Sequence, residues 1–410
     1  MSRTEQPVTA EPSALRRRAL WVISLVSALY GVQLGMLLPL VPLYLLSLGY
    51  NFALLGAVIA AQGAFQLLLR FFGGALSDRF GERVVLRVGL VALLVSALVF
   101  VMAESVWALI GAQLFIGAAR AVYNPAAQSY ATRINETDRA RVIGRYRAAE
   151  AIGQGVGPLL GWVLATVLGF SAAFMVVAAG SGAALLASLL LPELPRRMAT
   201  TMLQVARSIP GVVRSKPLLL AGICAFGLSA SVAVFFSMGI AFFRVTGIEA
   251  GVIALAVTVF TAAAAIASFG FARILAMLGQ RLVFALGVGG VGVMWLFIAG
   301  AGGSLVVLLP AMVLGGVAAA LANNLRTLLS AEHSEPERRG LAVALVGSYW
   351  ALAQLVGPAV LGIVAELAGL TTALVAGGGF ALLVGVSAPL LFRLLLPGPQ
   401  PSAAAGSGSS

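Results

Sequence analysis

The chain holds one cysteine, Cys224, and one histidine, His333. One cysteine cannot close a disulfide within the chain, and one histidine cannot build a His-rich metal site. Charge is also scarce: 10% of the 410 residues are charged, against about 25% in a soluble domain. No hydrolytic triad and no pair of acids placed for catalysis stands out. Glycine runs at Gly287–Gly290 and Gly377–Gly379 sit inside apolar stretches without a following Lys-Ser/Thr, so they are not phosphate loops. These gaps argue against an enzyme and an ATP-driven pump, and they call for no metal and no cofactor. The first apolar run outlasts a signal-peptide core and lacks an A-x-A site, so no cleaved leader is read there.

What the chain has instead is apolar length. Sixty percent of residues are hydrophobic and mean hydropathy is +1.03, so lipid is the solvent for most of the chain. A spanning helix needs about 20 apolar residues. Twelve such runs are found, near 20–46, 53–73, 84–103, 106–131, 148–168, 171–191, 217–243, 250–272, 282–301, 304–329, 341–366 and 370–396. None alternates residue by residue as a barrel strand would. The expected fold class is an all-α membrane protein with twelve transmembrane helices. The net charge of +12 then reads as topology rather than nucleic-acid binding. Threaded through twelve spans from a cytoplasmic start, the arginines at 16–18, 79–87, 133–147, 196–214, 281, 338–339 and 393 share one side, and Arg244 stands alone on the other. That bias puts both termini in the cytoplasm of a multi-pass protein of the cell (plasma or inner) membrane, with anionic lipid as a natural contact.

The chain also repeats itself. Asn124, Arg139, Gln154, Val156, Gly157 and Pro158 recur 200 positions later as Asn324, Arg339, Gln354, Val356, Gly357 and Pro358, and Gly81, Arg83 and Gly89 recur 198 later as Gly279, Arg281 and Gly287. The expected organisation is a cytoplasmic tail (1–19), a six-helix bundle (20–191), a cytoplasmic linker with a short amphipathic stretch (192–216), a second six-helix bundle (217–396) and a flexible tail (397–410). Parallel repeats of this kind place a binding site at the repeat interface, reached alternately from each side.

Two motifs carry a family resemblance. Gly74-x-x-x-Asp78-Arg79-x-Gly81-x-Arg83 resembles the cytoplasmic loop between the second and third helices of the major facilitator superfamily. Gly144, Gly153, Gly157-Pro158 and Gly161 resemble the fifth-helix motif of its twelve-helix drug/proton antiporter branch. Three positions depart from the pattern: Trp162 replaces a final glycine, Glu82 a basic residue, and Gln113 the arginine of the fourth-helix motif. The resemblance implies two pseudo-symmetric six-helix bundles and a secondary transporter that moves a small organic or amphipathic solute by alternating access. Efflux is the preferred direction and protons are the candidate coupling ion. An uptake carrier for an organic-anion metabolite and a non-transporting receptor on the same fold are the alternatives. No partner beyond solute, protons and lipid is called for, and a monomer is expected.

Residue by residue, the resemblance assigns gating to Gly74, Asp78, Arg79, Gly81, Arg83, Gly157 and Pro158. Asp78 can accept hydrogen bonds at a helix N-terminus, and Arg79 and Arg83 can pair with carboxylates across a helix seam. Glu150, at the start of the fifth span, is a candidate gating partner for Arg79 or Arg83. Arg120 lies near the middle of the fourth span, where charge is costly and points to a cavity or a partner. With it, Tyr30, Gln33, Gln62, Gln66, Tyr123, Asn124, Asn323, Asn324 and Gln354 are the candidate substrate contacts. Each lone amide could instead join two helices.

Overall fold

The computed structural model describes residues 13–134, 139–193, 214–301, 304–333 and 339–396. Both tails and most of the 192–216 linker, including its amphipathic stretch, lie outside the described residues.

The described chain is helical, as a backbone in hydrocarbon must be to satisfy its own polar groups. In order the helices are α1 (Ser13–Ser47), α2 (Phe52–Phe80), α3 (Glu82–Met102), α4 (Val106–Ile134), α5 (Arg139–Leu168), α6 (Phe170–Leu189) and α7 (Lys216–Val245). One continuous stretch, Ala250–Gly300, follows, then α10 (Leu305–Glu332), α11 (Arg339–Ala368), α12 (Leu370–Val386) and a short α13 (Ala388–Leu395) bent 50° from it. Ten helices among the described residues are long and apolar enough to cross a membrane, or eleven with the bent pair counted as one span.

The 51-residue stretch accounts for the twelfth. At about 1.5 Å per residue it would reach more than twice the roughly 30 Å hydrocarbon thickness. It breaks at Gly279, whose φ is 73°. We therefore treat 250–278 as α8 and 280–300 as α9. The break has a counterpart: Gly81, 198 positions earlier, has φ 87° and separates α2 from α3. Gly169 and Gly369, 200 apart, have φ 87° and 89° and start α6 and α12. At all four turns a left-handed residue is needed, and glycine supplies it without a Cβ clash. The repeat read from the sequence is thus also a repeat of turns.

The chain divides into two compact units. Unit 1 holds Met1–Asn51, Ala61–Thr201 and Ile248–Ala262; unit 2 holds Phe52–Ala60, Met202–Gly247 and Ala263–Ser410. The opening turns of α2 and α8 thus belong to the unit built mainly from the other half of the sequence. Within unit 2, the Phe52 N–H donates to the Glu366 carboxylate at 3.0 Å, and Gly56 packs on the Pro358 carbonyl of α11. Within unit 1, the Thr258 hydroxyl donates to the Gly155 carbonyl of α5 at 3.2 Å.

In unit 1, α1 packs on α5 and α6, and α3 on α4 and α6; in unit 2, α7 packs on α10 and α11, and α9 on α12. Large apolar side chains such as Met102, Phe269, Val306 and Leu367 stand exposed on the outside. In water such a surface would aggregate; in lipid it is the expected exterior.

Candidate functional site

The fifth-helix motif is first of all a packing device. Gly31 and Gly35 on α1 face Gly153 and Gly157 on α5, so the two backbones touch. A Cβ built on Gly157 would stand 2.5 Å from the Val32 carbonyl oxygen and 2.6 Å from the Met36 nitrogen; one on Gly35 would stand 2.6 Å from the Gln154 carbonyl oxygen. Small residues on both faces allow this approach. Pro158 lacks an N–H and leaves the Gln154 carbonyl without its helical donor. Gly144, in the same motif, has nothing within 4 Å. Trp162, where the family pattern has glycine, packs its ring against Gly251 of α8, where a Cβ would lie 2.5 Å away. The small residue has moved to the facing helix.

Behind this seam sits a polar cluster, all within unit 1. Tyr30 of α1 stacks on Tyr123 of α4 with ring centroids 3.8 Å apart. The Tyr123 and Ser27 hydroxyls share a hydrogen bond of 3.1 Å. The Arg147 guanidinium pairs with the Glu150 carboxylate at 3.1 Å, which also accepts from Gln154 Nε2 at 3.4 Å. A second Arg147 nitrogen donates to Gln128 Oε1 at 3.4 Å.

Arg120 is half-buried in the same region. At about 100° per residue, it falls on the arc of α4 between Tyr123, which meets α1, and Gly117, which meets the Gln62 carbonyl of α2. The exposed Phe115 lies about 140° around the helix by the same geometry. Arg120 therefore projects into the bundle and away from lipid. It interacts electrostatically with Tyr30 and Glu150 but makes no hydrogen bond or ion pair among the described residues. Among the described residues, the Tyr30 hydroxyl, Gln33 Oε1 and Asn124 Oδ1 are buried without a hydrogen-bond partner, as are Gln66 Oε1 and Gln113 Oε1 on α2 and α4.

The cytoplasm-side expectations meet a mixed geometry. The backbone at Gly74, Asp78 and Arg79 is helical, ending α2 at Phe80; their side chains lie outside the described residues. Arg83 approaches Glu193 at 4.0 Å, so it is not beside Glu150, whose partner is Arg147 on the same helix. Glu82 is paired with Arg133 at the end of α4, and both side chains are largely buried, at 13% and 12% exposure; Ser129 donates to the same carboxylate at 3.1 Å. The acid in place of the family's base is thus matched by a base on the next helix.

Of the proposed substrate contacts, Tyr30, Gln33, Gln66 and Tyr123 are sealed among helices, and Gln354 nearly so. Gln62, Arg120, Asn124 and Asn324 are half-exposed, and Asn323 is exposed. In unit 2, Asn324 donates to the Ser268 hydroxyl at 3.2 Å. Asn323 Oδ1 accepts from Arg326 at 2.7 and 3.0 Å, and that guanidinium lies 4.7 Å from the Trp350 ring centroid. Sequence reasoning missed Arg326 and Trp350. The signal was present: Arg326 lies inside the 304–329 run, where any charge is costly.

Twelve apolar helices in two repeats, with charge and amides buried inside one bundle, define a polytopic membrane protein. The sequence model of the Major Facilitator Superfamily matches residues 23–251 and 218–409. The chain belongs to the Major Facilitator Superfamily, and so to a family of transporters rather than enzymes. It is 26% identical over 203 residues to the quinolone resistance protein NorA of Staphylococcus aureus, spanning 48% of this chain and 52% of NorA. It is 28% identical over 167 residues to a staphyloferrin B transporter of the same species, spanning 39% of each. The matched region is therefore about half, or less, of these relatives' length. Among solved structures, a variant of the nucleoside transporter NupG superposes with a TM-score of 0.77 at 15% identity, covering 92% of this chain and all of that one. At that identity the likeness shows the fold.

Proposed function

We propose that the chain exports small organic or amphipathic solutes across the cell membrane by alternating access, with protons as the coupling ion. The observation that carries this reading is Arg120: a charge on the inward face of α4, without a hydrogen-bond or ion-pair partner among the described residues, is costly in a scaffold and useful in a carrier. Export is supported by the fifth-helix motif and by the likeness to a drug-resistance protein. Glu150 and Arg147 form a pair that a passing proton or solute could open. Asp78, Arg79 and Arg83 act as a latch on the cytoplasmic side, with Gly74 and Gly81 shaping their turn and the Gly157-Pro158 seam guiding the motion. The arginine bias among helix ends supports a multi-pass protein with both termini in the cytoplasm.

The test uses purified protein in proteoliposomes. A panel of drugs and metabolites is added with an imposed pH gradient, and solute flux is followed together with an internal pH dye. A transported solute that dissipates the gradient in wild type, and does so much more slowly with Asp78→Asn, supports the reading. Absence of solute flux in either gradient direction across the panel refutes it.

A further inference from the structure

We infer that Arg120 anchors a single carboxylate, so that the solutes taken at this site are organic monoanions; the inference rests on the transporter reading and narrows its substrate. Charge counting carries it. Three charged side chains interact here, around the neutral Tyr30: Arg120, Arg147 and Glu150. Arg147 and Glu150 neutralise each other at 3.1 Å, and Gln154 occupies the other Glu150 oxygen. That leaves one uncompensated positive charge, on a guanidinium with no acceptor among the described residues.

A guanidinium offers a planar fork that fits a carboxylate with two parallel hydrogen bonds. One bound carboxylate brings the cluster to neutrality in a low-dielectric setting, where residual charge is penalised. A phosphate monoester carries about −1.5 to −2 and would overshoot. A cation would sit against Arg120, and the acid that interacts with it among the described residues, Glu150, is already paired with Arg147. Next to the anchor, Asn124 lies one helical turn away with a buried Oδ1 that has no donor, which suits a solute carrying an N–H or O–H beside its carboxylate. The stacked Tyr30–Tyr123 pair joins α1 to α4 one turn from the anchor, and Tyr30 lies within its electrostatic reach.

The inference is tested with four probes that share a ring and differ in head group: benzoate, phenyl phosphate, benzyl alcohol and benzylammonium. Binding to the full-length protein in detergent is measured by calorimetry. Wild type should bind benzoate most tightly and benzylammonium least. Arg120→Gln should weaken benzoate at least tenfold, and Arg120→Lys should keep part of the affinity, because charge remains but the fork is lost. Should Arg120→Gln fail to fold, Glu150→Gln decides: it frees Arg147, raises the cluster to two positive charges, and should move the preference from benzoate to phenyl phosphate. Benzylammonium binding as tightly as benzoate, benzoate unaffected by Arg120→Gln, an unchanged order with Glu150→Gln, or no benzoate binding by wild type would each overturn the anchor. The two readings fail separately. Benzoate bound but never moved across proteoliposomes sinks the transporter reading alone, and cation flux without benzoate binding sinks the anchor alone.

Discussion

Replacing Gly157 with alanine isolates the α1–α5 seam. The added Cβ would stand 2.5 Å from the Val32 carbonyl oxygen, 2.6 Å from the Met36 nitrogen and 2.7 Å from the Gly35 carbonyl carbon. All three are backbone atoms, so no side chain can rotate away. Reaching even a tight 3.0 Å contact requires the helices to part by about half an ångström, and a gap of 0.5–1 Å forfeits a quarter to a half of each dispersion well along the seam. Overpacking of this kind costs about 1–3 kcal/mol. The control lies on the same helix: Gly144 has nothing within 4 Å, and alanine there should gain up to about 1 kcal/mol of helix propensity. The propensity gain is common to both positions, so the two substitutions should differ by the overpacking cost, about 1–3 kcal/mol, with Gly144→Ala the more stable, in thermal or denaturant unfolding of detergent-purified protein. Gly157→Ala melting at or above Gly144→Ala would refute the claim that the motif is a backbone contact.

Other contacts can be broken and restored. Gly251→Ala should lower the melting temperature by driving a methyl into Trp162, and adding Trp162→Gly should recover most of the loss; two additive losses in the melting series would show that the residues do not share a site. Glu82→Lys sets like charges against Arg133 and should cost about 3 kcal/mol, in the range for breaking a largely buried pair, while the swap Glu82→Lys with Arg133→Glu should regain a good part in the same unfolding assay. Trp350→Leu removes the ring beneath Arg326 and should cost about 1 kcal/mol through the lost cation–π contact, read as a fall in melting temperature that vanishes when Arg326→Met is already present.

The sequence made the helices legible because lipid imposes one rule, about twenty apolar residues per span, and the chain obeys it twelve times. It also exposed the repeat, and one of the matched pairs, Gly81 and Gly279, proves to be a turn with positive φ in both halves. Arg120 could be singled out because a charge inside an apolar run is conspicuous. Its orientation could not: that depends on which arc of α4 meets α1 and α2, and the packing of Tyr123 and Gly117 decides it. The pairs Glu82–Arg133 and Trp162–Gly251 lie 51 and 89 positions apart, and in the sequence Glu82 and Trp162 look only like departures from a family pattern. A departure and its compensation sit on different helices, so neither explains itself in one dimension. Glu150 was offered as a partner for Arg79 or Arg83; among the described residues its carboxylate pairs with Arg147, one turn away on the same face of the helix.

The repeat conserves turns more faithfully than contacts, and this yields a final test. Gly157 and Gly357 are equivalent by the 200-residue offset, and both precede a proline. Yet a Cβ on Gly357 would stand 3.4 Å from its nearest neighbour, the Ala230 carbonyl oxygen of α7, an ordinary contact where Gly157 meets a clash. The chemistry diverges at the same level: the position of Glu150 is Trp350 in the second half, that of Arg120 is Ala320, and that of Ala126 is Arg326. One bundle has a tight backbone seam beside an acid–base cluster; the other has a looser seam and an arginine laid on an indole. Gly357→Ala should therefore change the unfolding midpoint little, with propensity gain and slight crowding nearly cancelling, while Gly157→Ala lowers it markedly. Equal losses at the two positions would mean that the seams are mechanically equivalent, and that the asymmetry between the repeats stops at their polar side chains.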